Sequence, residues 1–253
     1  MLTLTEEKKF RQPLTIPCYA ADKDFSLRPT AFMDYAQEIA YLAASRLGFG
    51  YEAVTEHHTA WVLSRMSIDF INPPKWRDNV SLDTWHKGTD GLFFLRDFQV
   101  KDKDENVLIA ATSSWLIIDM QTRRLVRSDE MQKVLTFDVQ CTADALPEPA
   151  PKLTMPKDVE KEILPPYVVL PSDMDFNGHT NNVRYAAWSI DCIPAEILAS
   201  RPIRHLNINF TKETTLSESV SLTRACVEDG ETLKYIIEGT VGGKQTFITE
   251  VIY

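Results

Sequence analysis

The 253-residue sequence predicts an α+β protein built from one module written twice in tandem. Two stretches, "IDFINPPKWRDNVSL" from Ile68 and "INFTKETTLSESVSL" from Ile208, match without a gap at Phe70/Phe210, Val80/Val220, Ser81/Ser221 and Leu82/Leu222, 140 residues apart. Each half places a helix before its strands. A proline-rich stretch, "DVQCTADALPEPAPKLTMPKDVEKEILPP", separates the halves. One helix followed by long antiparallel strands, repeated once, describes two helices that each lie on a curved sheet.

The elements follow in order. In "PTAFMDYAQEIAYLAASRLG", Phe32, Tyr35, Ala36, Ile39, Leu42, Ala43 and Leu47 recur at helical spacing. Pro29 near the start and Gly48 after the end occupy the places a helix favours for them. Met66, Ile68 and Phe70 then alternate with Ser67 and Asp69, the period of a strand with one face buried. "FFLRDFQVKDKDENVLIAATSSWLIID" reads as a hairpin turning near Asp102–Asn106. These segments define an expected first module at 1–138, a linker at 139–165 and a second module at 166–253.

In the second module Val183, Ala186, Ala187 and Ile190 mark a helix that Pro194 bends or ends. Leu206, Ile208 and Phe210 alternate with Asn207 and Asn209 in the phase of the first module's strand. "LKYIIEGTVGGKQTFITEVIY" reads as a hairpin turning at Gly242–Gly243. Aligning the two helices on Tyr35 and Tyr185 sets Asp175 against Phe25, Asn177 against Leu27 and His179 against Pro29. At the 140-residue spacing, Glu213 faces Pro73. In this register the polar residues belong to the second module alone, which points to chemistry there.

Composition narrows the function. Hydrophobic residues at 44% and charged residues at 25% suit a folded globular chain. A net charge of -9 argues against nucleic acid and against an anionic membrane surface as partners. Cys18, Cys141, Cys192 and Cys226 are scattered, without metal-ligand spacing, so reduced thiols and no metal are expected. The opening "MLTLTEEKKFRQPLTIP" carries no apolar targeting segment, and no run is long enough for a membrane helix; the expected location is cytoplasmic. P-loop, G-x-G-x-x-G, H-E-x-x-H and G-x-S-x-G motifs are absent, and no cofactor is indicated.

The densest chemistry lies in "DMDFNGHTNNVRYAAW", Asp173–Trp188, which packs two aspartates, three asparagines and a histidine ahead of an apolar helix. Capping needs one or two such residues. The segment, followed by "NINFTKETTLSESVSL", resembles the acyl-acyl-carrier-protein thioesterase family, with its D-x-N-x-H-x-N-N-x-x-Y pattern. The repeat, the linker and "WVLSRMSIDFINPP" fit the same family, so the resemblance spans essentially the whole chain. It implies a tandem hot-dog fold, with Asp175, Asn177 and His179 as active-site residues and Glu213 on the adjacent strand. It also implies an acyl-chain pocket in the first module and an acyl carrier protein as partner. Plant relatives carry a cysteine directly after the glutamate. This sequence has Thr214 there, which argues against a thiol nucleophile.

A thioester carbonyl gains negative charge as water attacks, so hydrolysis needs a base for the water and donors for the oxygen. The expected assignment has Glu213 deprotonating water with help from Asn177. His179, held by Asp175, polarises the carbonyl or protonates the thiolate, and the two carboxylates could exchange roles. Asn181 and Asn182 are expected to hold the loop and cap the helix. Arg184 and Lys212 flank the site and are the candidates for meeting an acidic carrier. An acyl-CoA thioesterase and a non-catalytic acyl-binding protein are the alternatives on the same scaffold. Either a monomer or a homodimer is compatible with two fused modules.

Overall fold

The computed structural model describes residues 1–131, 133 and 141–253. By its internal contacts the chain divides into two compact units: Met1–Ser64 with Ile68–Ala150, and Arg65–Ser67 with Pro151–Tyr253. The expected boundary at 138/139 lies outside the described residues.

The first unit comprises β1 (Thr3–Leu4), β2 (Phe10–Thr15), α1 (Pro29–Arg46), α2 (Tyr51–Glu56), β3 (Thr59–Phe70), β4 (Asn79–Asp90), β5 (Phe93–Lys101), β6 (Val107–Asp119), β7 (Leu125–Val126) and α3 (Ser128–Met131). Its strands run in the order β1-β2-β4-β5-β6-β3, with β7 paired to β6. Helix α1 buries the stripe Phe32, Ala36, Ile39 and Ala43, each no more than 2% exposed. Positions i, i+4, i+7 and i+11 share one helix face, which explains that stripe. Pro29 opens α1, where its missing N–H costs nothing. Gly48, at φ +79, follows its end. A second cluster gathers Phe49, Val54, Phe94, Ile117 and Met131, with the Trp61 and Phe94 rings edge to face at 4.9 Å.

The second unit comprises β8 (Lys161–Val168), α4 (Asn182–Asp191), α5 (Ala195–Ser200), β9 (His205–Phe210), β10 (Ser219–Asp229), β11 (Thr232–Val241) and β12 (Lys244–Ile252). Its sheet order is β9-β12-β11-β10-β8, antiparallel throughout. Helix α4 buries Tyr185 and Trp188 against Phe247. The Phe247 ring occupies the space over Gly239, where a Cβ would lie 2.1 Å from ring carbon Cε1. Only glycine admits that ring. Both expected hairpin turns occur, at Asp102–Asn106 and at Gly242–Gly243.

Main-chain hydrogen bonds repeat between the units. Ile16 N–H donates to Asp78 O while Arg77 N–H donates to Ile16 O. Val169 N–H donates to Glu218 O while Ser217 N–H donates to Val169 O. The spacing is therefore 140 residues in the strand segment (Asp78 to Glu218) but 153 ahead of it (Ile16 to Val169).

Within the stretch expected as a linker, several residues of 143–153 are bonded to the unit they belong to. Ala143 O accepts from Trp85 Nε1 at 2.8 Å, and Ala145 N–H donates to the buried carboxylate of Asp97 at 2.7 Å. Lys87 joins Asp97 and Asp144 at 3.0 and 2.9 Å. Further on, Asn209 accepts from Leu153 N–H and donates to Pro151 O. The alternation in β9 thus has a different meaning from the one expected. Both asparagines are buried: Asn209 bonds this segment through both ends of its amide, and Asn207 Nδ2 donates to Glu250, while Asn207 Oδ1 has no partner among the described residues.

Candidate active site

The motif segment folds into a tight loop ahead of α4. A 3-10 turn, Pro171–Asp173, leads to a bridge between Met174 and Thr180, which pinches off Asp175–His179. Asp175 N–H donates to His179 O at 2.8 Å, and Gly178 N–H donates back to Asp175 O at 3.1 Å. The Asp175 carboxylate accepts from the main-chain N–H of Asn177 at 2.8 Å and of His179 at 3.4 Å. Asp175 therefore holds His179 through its backbone rather than through the imidazole. Gly178 sits at φ +77, where a side chain is strained. Asn181 caps α4, its Oδ1 accepting from Val183 N–H at 2.9 Å, and Asn182 is the first helical residue. Val183 and Arg184 N–H are both taken up by Asn181, so those two helix-end donors are not available to a carbonyl oxygen.

Glu213, expected on the adjacent strand, lies instead in the loop after β9, which brings it to this segment. His179 Nε2 lies 3.3 Å from Glu213 Oε2, with side chains 34% and 36% exposed. Behind the pair, Thr180 N–H donates to Thr214 O at 3.0 Å. The hydroxyls of Thr180 and Thr214 are 2.7 Å apart, and Tyr185 Oη is 2.9 Å from Thr214 Oγ1. Thr214 is fully buried, and its N–H donates to Tyr185 Oη at 3.0 Å. Burial pushes the Tyr185 phenol up from its ordinary range, so it stays protonated and can donate.

Asn177 is exposed on the loop, beside His179 in sequence. Arg184 turns inward, its Nε donating to the fully buried Asp173 carboxylate at 2.8 Å. Tyr167 Oη and Leu170 N–H donate to the same carboxylate. Lys212 is exposed and anchored through its main-chain N–H to Thr246 O at 3.1 Å. The structure thus places Asp175, Asn177 and His179 on one loop and His179 against Glu213, while Arg184 has a partner inside the protein.

The repeat corrects the helix register expected from Tyr35 and Tyr185. In the first unit Asp22 N–H donates to Ser26 O, Phe25 N–H donates to Asp22 O, and Asp22 Oδ1 accepts from Asp24 and Ser26 N–H. These are the bonds of the Asp175 loop, placing Asp22, Asp24 and Ser26 opposite Asp175, Asn177 and His179. Leu27 N–H donates to Pro74 O, as Thr180 donates to Thr214. Pro73 therefore does oppose Glu213, but Asp175 has an aspartate counterpart. What the second repeat alone carries is the His179–Glu213 pair. The first loop is closed further by Trp76 N–H donating to Phe25 O, with the two rings stacked at 6.1 Å. No counterpart of that bond occurs among the described residues of the second.

Sequence reasoning passed over Asp173, Thr180, Tyr185 and Thr214 as structural participants, although the first three lie inside the motif segment. Tyr185 alone had a signal, a polar group on the apolar face of α4; the other three lie outside that helix.

Family models for the acyl-ACP thioesterase N-terminal and C-terminal domains match residues 7–134 and 156–250. The chain belongs to the acyl-ACP thioesterase family. It is 29% identical over 258 residues to the chloroplastic oleoyl-acyl carrier protein thioesterase 1 of Arabidopsis thaliana, spanning 95% of this chain and 70% of that protein. Among solved structures it is similar to the 12:0-ACP thioesterase of Umbellularia californica, at TM-score 0.81 and 25% identity, covering 98% of both chains. An acyl-ACP thioesterase of Bacteroides thetaiotaomicron superposes at TM-score 0.77 and 24% identity, covering 98% of this chain and 99% of that one. The fold of this family member is accordingly the tandem hot-dog. No helix among the described residues is long and apolar enough to cross a membrane. No group of three or more His, Cys, Asp or Glu among them could hold a metal ion.

Proposed function

We propose that the chain hydrolyses acyl-acyl-carrier-protein thioesters and releases free fatty acid, with water as nucleophile. The observation that carries this reading is the half-exposed His179–Glu213 pair at 3.3 Å, built only in the second repeat. Glu213 takes the proton of a water held against the thioester carbonyl, and the Asn177 amide orients that water. His179 passes a proton to the carbonyl oxygen or to the departing thiolate, the step general acid catalysis requires. Asp175 shapes the loop that presents both Asn177 and His179. The second unit, 166–253 in the expected division, thus carries the chemistry, and the first, 1–138, receives the acyl chain. Asn182 completes the start of α4, and Lys212 meets the carrier at the rim.

Thr214 does not fit a nucleophile. It is fully buried, and its hydroxyl is consumed between Tyr185 and Thr180. A water route is left.

Thiol release from acyl groups of graded length, each presented on carrier protein and on CoA, tests the proposal. Turnover on the carrier with kcat/KM above that on CoA is expected. Equal or greater turnover on CoA reassigns the substrate, and no thiol release from either sinks the hydrolase reading. Glu213→Gln and His179→Ala should each lower kcat by about 10² to 10⁴-fold.

A further inference from the structure

We propose that Tyr185, Thr214 and Thr180 are positioning residues: a relay of three buried hydroxyls that fixes Glu213 against His179 and so sets the rate of hydrolysis. This rests on the thioesterase reading above. The proton order within the relay follows from counting, since each hydroxyl owns one proton. Thr180 Oγ1–H donates to Thr214 O at 3.1 Å. Thr214 Oγ1–H must then donate to Thr180 Oγ1 at 2.7 Å, and Tyr185 Oη–H to Thr214 Oγ1 at 2.9 Å. Tyr185 Oη in turn receives Thr214 N–H at 3.0 Å. Every donor is used and the directions agree. The relay joins helix α4, the last residue of the motif loop and the residue after Glu213.

Stability does not explain why these hydroxyls are there. Buried hydroxyls are expensive unless fully bonded, and apolar residues of similar shape fill such space as well. The first repeat makes that substitution. At the corresponding places it has Leu27 for Thr180, Pro74 for Thr214 and Phe32 for Tyr185, all within a well-packed unit. Its Leu27 N–H still donates to Pro74 O, so the main-chain link needs no hydroxyl. The hydroxyl relay occurs in the repeat that has a His179–Glu213 pair, and is replaced by hydrocarbon in the repeat that has none. A main-chain hydrogen bond lets Glu213 pivot about its own backbone. Four further bonds to the adjacent residue remove that freedom.

The test compares Thr214→Val, Thr214→Ser, Tyr185→Phe and the triple variant Thr180→Leu/Tyr185→Phe/Thr214→Pro, which reproduces the first repeat. Thr214→Val and Tyr185→Phe should lower kcat about 10- to 100-fold, the cost of a misplacement near 1 Å, with KM changed less than about threefold. Thr214→Ser keeps the hydroxyl and should retain wild-type kcat. Crystal structures of Thr214→Val and the triple variant should show the His179–Glu213 separation increased beyond hydrogen-bond reach. Wild-type kcat in Thr214→Val and Tyr185→Phe, or an unchanged separation, overturns the proposal. So does a Thr214→Ser variant as slow as Thr214→Val. If the wild-type chain cleaves no acyl thioester, the functional reading fails by itself, and the crystallographic separation still decides the geometry.

Discussion

Replacing Asp175 by Asn separates a carboxylate that builds a loop from one that does chemistry. Asp175 Oδ1 accepts two main-chain N–H groups, at 2.8 and 3.4 Å, and an asparagine oxygen in the same place accepts both. The substitution takes one good bond from the charged range to the neutral range, a cost of about 1 kcal/mol, and little for the longer contact. Asp22 provides a built-in control, because its carboxylate makes the same pair of bonds, both at 2.9 Å, in the repeat that lacks a His–Glu pair. Asp175→Asn and Asp22→Asn should therefore lower the urea unfolding free energy by similar amounts. Asp175→Asn should keep kcat within about fivefold of wild type, while Glu213→Gln loses about 100-fold or more. Steady-state thiol release together with urea titration measures both quantities on the same preparations. A 100-fold loss of kcat in Asp175→Asn at unchanged stability would show that the charge itself is used, and the loop-building assignment would be refuted.

Three other outcomes follow from the same geometry. Lys212→Glu should raise KM for an acyl carrier protein at low salt and lose that effect at high salt. Arg184→Ala should instead lower stability by about 1–2 kcal/mol, because Asp173 loses one of its partners while two hydrogen bonds remain, and should leave the salt dependence of KM unaltered. Gly178→Ala should cost about 1 kcal/mol in thermal unfolding, the strain of a left-handed residue, and no more, since the first repeat holds Phe25 at φ +63 in the equivalent place. The His86 imidazole is pushed down to about 4 by burial, with a smaller contribution from the Arg96 charge. An unfolded chain binds that proton from pH 6.5 downward and the folded one does not. The stabilisation, about 3 kcal/mol, is thus complete above pH 6.5 and lost as pH falls toward 4. Urea midpoints should fall across that window in the wild type and less steeply in His86→Phe.

The long helix α1 was legible because its stripe, its proline and its glycine all agree on one reading. The place of Glu213 beside the motif loop was legible through the family resemblance, while the gapless strand match gave only its counterpart, Pro73. The helix register was not. Matching Tyr35 to Tyr185 rewards identical side chains, yet Trp188 occupies the place of Tyr35, and the true register is set by where each helix is capped. Arg28 precedes α1 with no side-chain cap bond, whereas Asn181 provides one for α4, so capping signals could not be aligned. His86 lies mid-strand in β4 against Phe49 and Phe94, and nothing in its local sequence marks it as buried. The threonine partnership was invisible for another reason: Thr180 and Thr214 are 34 positions apart, and a hydroxyl carries no pattern until its acceptor is known.

The way residues 141–153 are bound has a practical consequence for anyone who wishes to express the halves as independent fragments. Cutting at the end of the proline-rich stretch would strip Asn209 of both its amide partners, and cutting ahead of Cys141 would strip the Asp97 carboxylate of Ala145 N–H. Severing the polypeptide between Ala150 and Pro151 keeps Ala143 and Ala145 with one fragment and Pro151 and Leu153 with the other, so these four bonds each stay within one fragment.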